Sequence, residues 1–258
     1  MSGRAGRPGR GPGATLSRLL LVALVVAHPL QVFAQEDATA SIRPPTVLRW
    51  WHGAIALGGL SAFMLLDQPV QKFVQGERSA TKDGVARTVR HFGQIEVYGT
   101  VTAGLFAAGL VSGNDRLTRA GGRLAATMAF AGATSMATKL VAGRPRPEDS
   151  NDADGYVPLS GQAAMPSGHT AMAFAFATAL SDEIHRPWAT VGLYTMASAV
   201  GWSRINDNRH WLTDVATGAA LGITSAKLIS GRWRIFGLRP PSVLLGPSHA
   251  GLAWQVEF

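Results

Sequence analysis

The sequence predicts an all-α chain, a bundle of about six helices with its functional site at one end and a short β-hairpin at the C-terminus. Three observations lead there. Six apolar segments of helical length follow one another between about residues 45 and 230, each stopped by Gly, Pro or a charged cluster. These segments are rich in Ala, Gly and Thr, whose small side chains let helices pack closely. After Pro240-Pro241 and a turn-rich break the period changes: Leu252, Trp254, Val256 and Phe258 alternate with Ala253, Gln255 and Glu257, the pattern of a hairpin strand.

Residues 1–34 read as an export signal. A basic stretch ending at Arg18 precedes the apolar run Leu19–Ala27, Pro29 ends it, and Val32-Phe33-Ala34 offers a small-residue cleavage site. An uncleaved anchor is the alternative, but the run is short for a span of about 20 residues. Residues 35–44 are expected to be a linker, 45–231 the helical core, and 232–258 a tail with the hairpin. The six helices are placed at about 48–66, 94–111, 117–141, 167–184, 188–202 and 210–229. A terminal Phe is also a feature of outer-membrane barrel strands, but one hairpin cannot close a barrel of at least about eight.

Composition narrows the function classes. Half of the formal charge of +8 sits on Arg4, Arg7, Arg10 and Arg18 of the leader, and no basic stripe interleaved with aromatics follows, so nucleic acid is not an expected partner. The absence of cysteine rules out disulfides and thiolate metal sites. Glu148, Asp152 and Asp154 read as solvated loop acids, and neither a metal nor a cofactor is expected.

The chemistry is concentrated in three clusters: Lys139 with Arg146-Pro147, then Pro166-Ser167-Gly168-His169, then Ser203-Arg204 with His210 and Asp214. Together they supply three cations, two imidazoles, a carboxylate and a glycine turn opening a helix. Arg forks suit paired phosphate oxygens and Lys gives a point charge. The unpaired N–H groups of a helix start suit an anion; Ser167 is a good N-cap, and Gly168 lets the anion approach the backbone. Arg144-Pro145 repeats Arg146-Pro147, so the register of the first cluster has two readings, of which spacing favours Arg146. His210 and Asp214, at i and i+4, are expected on one face of the last helix. There the carboxylate, placed in the second turn, fixes the ring tautomer.

The order and spacing of these letters resemble the type-2 phosphatidic acid phosphatase and vanadium haloperoxidase superfamily. Its pattern is Lys, six residues, Arg-Pro; then Pro-Ser-Gly-His; then Ser-Arg, five residues, His, three residues, Asp. The resemblance implies a metal-independent phosphomonoesterase. In it His210 is the nucleophile and passes through a phosphohistidine, His169 is the acid and then the base, Asp214 orients His210, and Lys139, Arg146, Ser167, Gly168 and Arg204 hold the phosphate. A vanadate-dependent haloperoxidase, a phosphotransferase and a non-catalytic phosphate or lipid binder stay open beside it. The expected partner is a phosphorylated small molecule or a lipid phosphate, with membrane contact possible and the oligomeric state open. The sequence also leaves location open. An exported bundle, soluble or resting against a membrane, fits apolar runs of mostly 12 to 18 residues, while a bundle whose first helix spans would turn the pocket to the cytoplasm.

Overall fold

The computed structural model describes residues 44–237, 242–246 and 249–253; the expected export signal and all of the linker but Pro44 lie outside them. The unit from Pro44 onward is dominated by helices. They are α1 (Trp50–Met64), α2 (Asp67–Gly76), α3 (Ala80–His91), α4 (Ile95–Ser112), α5 (Asp115–Ala142), α6 (Gly168–Ile184), α7 (Pro187–Asn206) and α8 (Leu212–Ile229). Two pairs of strands complete the unit: β1 (Thr46–Leu48) lies parallel to β2 (Trp233–Ile235), and β3 (Ser242–Gly246) pairs antiparallel with β4 (His249–Ala253).

Six of the helices fall where the apolar segments predict them. The two additions, α2 and α3, occupy the polar stretch between the first two apolar segments. In the described part of the tail β3 and β4 form a hairpin, as expected, with a shifted register, while Trp254, Val256 and Phe258 lie outside the described residues. Gly246 pairs with His249, so the second strand starts three residues before the alternating run that identified it. Strands of three residues such as β1 and β2 carry too few alternations to be legible.

Local chemistry fixes the helix ends. The Asn114 side chain accepts from Arg116 N (3.0 Å) and Leu117 N (3.2 Å), starting α5. Gly143 ends it in the left-handed region (φ +55°), and a Cβ there would lie 1.8 Å from the Val157 carbonyl oxygen. The chain therefore leaves α5 sharply into the loop that carries Arg144 and Arg146. Pro187 opens α7 at a position where its missing N–H costs nothing.

The core is built by close backbone approach. A Cβ on Gly218 would meet the Ser167 carbonyl oxygen at 2.6 Å, and one on Gly222 would meet the Ala171 oxygen at 2.3 Å. These glycines, one helical turn apart, let α8 lie directly on the first turns of α6, where Ala171, Ala173, Ala175, Ala177 and Ala179 are buried. The same contact brings Ser167 N within 2.9 Å of the Asp214 carbonyl oxygen, locking the two helix starts together. Leu124, Thr127, Met128, Ala131 and Ser135 form the buried stripe of α5 at helical spacing.

The outer helices are different. α1 is apolar all round and buries none of its residues; Trp50, Ile55 and Leu57 are largely exposed, as are Leu65, Phe73 and Val111 farther along. The stretch Ala80–Ser112 and the 28-residue α5 are each long and apolar enough to cross a membrane, and the bent pair α1–α2 passes the same test when taken together. The runs of 12 to 18 residues understate these lengths, because polar residues interrupt helices whose backbone continues through them.

Candidate active site

The site is assembled from helix ends at one end of the bundle: the end of α5 with the loop after it, the start of α6, the end of α7, and the start of α8. The ends of α2 and α3 join them. Gln71 of α2 bonds Asn208, and Gln75 donates to the Ile205 carbonyl (3.0 Å), so the α2–α3 segment is fastened to the α7–α8 turn.

His210 is buried and stands just before α8, outside the helix. The expected i, i+4 pair on a continuous helix is corrected accordingly: α8 begins at Leu212, and Asp214 lies in its first turn, where it accepts from Trp211 N at 2.8 Å. The pair still meets, with His210 Nδ1 3.6 Å from Asp214 Oδ2. The nearer partner of Nδ1 is the Ala164 carbonyl oxygen at 2.7 Å, which needs a proton on that nitrogen. Backbone and carboxylate thus select one tautomer and leave Nε2 with its lone pair. Burial lowers the basicity of His210, and Asp214 works against that shift.

His169 is in the first turn of α6, half-buried. A Cβ on Gly93, in the α3–α4 turn, would come within 3.3 Å of its Cδ2, so that turn forms a wall against the ring. Burial first, then the charges of Arg204, His210, Arg90 and Lys139, push its pKa down to about 4. The sign has a consequence for the fold. The unfolded chain binds this proton from about pH 6.5 downward and the native one only from about 4, so stability is lost as pH falls between those values. Thermal melts should therefore show a lower midpoint at pH 4.5 than at pH 7, and His169→Gln should flatten that dependence.

Arg204 is nearly buried. It donates to Asp207 Oδ2 at 2.9 Å, the same oxygen that Arg90 of α3 approaches at 3.1 Å, while its Nε is buried with no hydrogen-bond partner. Lys139 Nζ donates to the carbonyls of Ala163 and Pro166, both at 2.6 Å, strapping α5 to the segment before α6. Ser167 sits at the N-cap of α6 without capping through its side chain; its buried Oγ accepts instead from Thr170 Oγ1 at 2.9 Å. Gly168 follows as the first residue of α6, with room beside it: a Cβ there would reach nothing closer than Lys139 Cε at 3.8 Å.

The two readings of Arg144 and Arg146 separate cleanly. Arg146 is partly exposed, 3.5 Å from Glu148, and lines a cavity of about 370 Å³ with Pro145, Asp149, Ser160 and Gln162. Glu148 also pairs with Arg209. Arg144 is fully buried: Nε donates to the Ala153 carbonyl (2.8 Å), one Nη to Asp214 Oδ1 (2.8 Å) and the other to Asp67 Oδ2 (2.5 Å), with Tyr156 and Trp211 over its faces. Burial opposes its charge, yet Asp214 and Asp67 hold its pKa above the ordinary value. Asp67 completes the bridge by accepting from Thr213 N (2.7 Å) and Oγ1 (3.0 Å).

Sequence reading missed Asp67, Arg90 and Asp207 as neighbours of the site. Asp67 follows directly on the first apolar segment, and the other two lie outside the three clusters. The usable signal was Arg144 itself, a second arginine in a Pro-rich turn with no other stated task.

Residues 120–234 match the family described as the PAP2 superfamily. A stretch of 108 residues is 45% identical to a lipid A 1-phosphatase of Porphyromonas gingivalis, covering 41% of this chain and 22% of that protein. The chain thus spans about a fifth of the length of the curated relative it matches. Among solved structures, a transmembrane PAP2-type phosphatidylglycerolphosphate phosphatase of Bacillus subtilis aligns with a TM-score of 0.50 at 17% identity, over 69% of this chain and 94% of that one. The Aquifex aeolicus LpxE structure aligns at 0.47 and 21%, over 64% and 94%. The stretch that matches the PAP2 superfamily runs from the second turn of α5 into β2 and contains every residue of the three clusters.

Proposed function

We propose that the protein is a membrane-associated lipid phosphatase that hydrolyses a phosphomonoester through a phosphohistidine on His210. The observation that carries the reading is the fixed tautomer of His210. Its Nδ1 proton is engaged by Ala164 O at 2.7 Å, which leaves Nε2 free as a nucleophile among Arg204, Lys139 and His169.

In the first step Nε2 forms a bond to phosphorus while the bond to the leaving oxygen breaks, and His169 gives that oxygen its proton. Arg146 and Arg204 hold the non-bridging oxygens, with the backbone at Ser167 and Gly168 as further donors, and their charge counts most as negative charge builds in the transition state. In the second step water attacks phosphorus, the N–P bond breaks, His169 takes the water proton, and phosphate leaves. A pKa near 4 makes His169 a ready donor that is scarcely protonated at neutral pH. A bound phosphate dianion raises it again, favouring an acidic to neutral optimum. Lys139, already bonded to two carbonyls, acts in this reading mainly on the shape of the cradle.

A lipid substrate is supported by the apolar exteriors of α1 and α4, and by what the relatives are named for: the Porphyromonas protein acts on lipid A and the Bacillus one on phosphatidylglycerolphosphate. The test is phosphate release by detergent-purified protein, with chelator present, from a panel of lipid phosphates and soluble phosphate esters. Release from lipid phosphates at least tenfold faster than from soluble esters is expected. No release from any member would end the enzymatic reading.

A further inference from the structure

Asp214 is the negative charge that opposes the depressed basicity of His210, but it does not act alone. Its Oδ1 is held by Arg144 at 2.8 Å inside the protein, with both side chains fully buried. A guanidinium at that distance cancels most of a carboxylate's field at a neighbour, and here the neighbour is an imidazole 3.6 Å from the other oxygen. The remaining charges that reach His210, Lys139 on α5 and Arg204 on α7, are both positive, and His169 on α6 faces it as a second imidazole. A phosphorylated ring keeps its Nδ1 proton and becomes cationic. Arg144 therefore weakens the one counter-charge available to the intermediate.

The structure supplies an offset. Asp67, on the first turn of α2, grips the other arm of Arg144 at 2.5 Å and is equally buried. One guanidinium between two carboxylates leaves one negative charge uncompensated beside His210. The remaining oxygen of Asp67 accepts both N–H and O–H of Thr213, the residue next to Asp214. It therefore also fixes the first turn of α8, from which Asp214 projects.

We propose that Asp67 is a positioning residue for phosphoryl transfer, offsetting Arg144 so that Asp214 keeps its pull on the Nδ1 proton of His210 and its hold on the cationic phosphoimidazole. The proposal rests on the reading of His210 as the phosphate acceptor. It assigns a task to a residue outside the three motif clusters and outside the matched segment, and it makes the α1–α2 corner part of the machinery.

The experiment compares Asp67→Asn with the double variant Asp67→Asn/Arg144→Gln in the full-length chain in detergent, using aryl phosphate. Asn keeps the shape of Asp67 but leaves guanidinium and Asp214 as a neutral pair. The expected result is a kcat at least tenfold below wild type with KM within about twofold, and less labelled phosphate trapped on His210. The double variant again carries one uncompensated negative charge, so it should recover kcat to above a tenth of wild type. Wild-type kcat in Asp67→Asn, a loss confined to KM, or a double variant below that tenth would overturn the proposal. If Asp67→Asn does not fold, the same threshold for the double variant decides. Absence of turnover in wild type would instead fail the underlying functional reading, and is seen before any variant is made.

Discussion

Substituting His210 by alanine should lower the turnover of aryl phosphate by more than a thousandfold, at least about 4 kcal/mol of transition-state stabilisation, and abolish acid-labile, base-stable labelled phosphate on the protein. The protein should stay folded. The side chain makes one clear hydrogen bond, to the Ala164 carbonyl, worth about 1 kcal/mol. A circular dichroism spectrum and a melt near those of wild type would separate lost chemistry from lost structure. His169→Ala gives the informative contrast. General acid–base groups contribute about 10²–10⁴-fold, and an aryl leaving group needs little help from an acid. Label should therefore enter His210 at a measurable rate and accumulate, because the hydrolytic step has lost its base. Trapped phosphohistidine in the His210 variant would sink the assignment.

The second large effect separates two arginines that stand two residues apart. Arg144→Leu leaves two buried carboxylates facing each other without a cation, a cost of about 3–5 kcal/mol. In a unit of this size that lowers the melting midpoint by on the order of 10 °C. Arg146→Leu loses a partly exposed contact to Glu148 at 3.5 Å, a class of pair worth about 0–1 kcal/mol, so its melting point should barely move. Activity should rank differently, with Arg146→Leu losing phosphate affinity while remaining stable. Differential scanning calorimetry alongside KM for a soluble phosphate ester checks both. A stable Arg144→Leu protein would mean that the bridge through Asp67 and Asp214 holds nothing together.

The helical class was legible because its evidence is repetitive: apolar runs broken by Asp67-Gln68-Pro69, Gly113-Asn114-Asp115 and His185-Arg186-Pro187 mark helix ends by several signals at once. Helices α2 and α3 escaped because they are polar outside and amphipathic, with Asp67, Gln71 and Ala86 buried among charged neighbours. The gathering of Lys139, Arg146, Ser167, Gly168, Arg204 and His210 at helix ends follows from where the breaks fall. The details that motif spacing could not supply are those decided by partners distant in sequence. Spacing places Arg144 beside Arg146, but only packing shows that one is enclosed against Asp67, 77 positions earlier, while the other borders a cavity. The i, i+4 relation of His210 and Asp214 pointed to a helix face; the chain achieves the encounter by a helix start, where Asp214 also caps Trp211 N.

The shared grip of Arg90 and Arg204 on one oxygen of Asp207 bears on how such a pocket would let go of what it holds. On the proposed reaction, this resident carboxylate would keep the Arg204 guanidinium steady between turnovers and compete with incoming phosphate for its N–H groups. Binding would be weakened in proportion, and the balance would tip towards discharge of inorganic phosphate once the ester is gone. A cradle of unshared cations would hold its product longest; this one carries its own competitor.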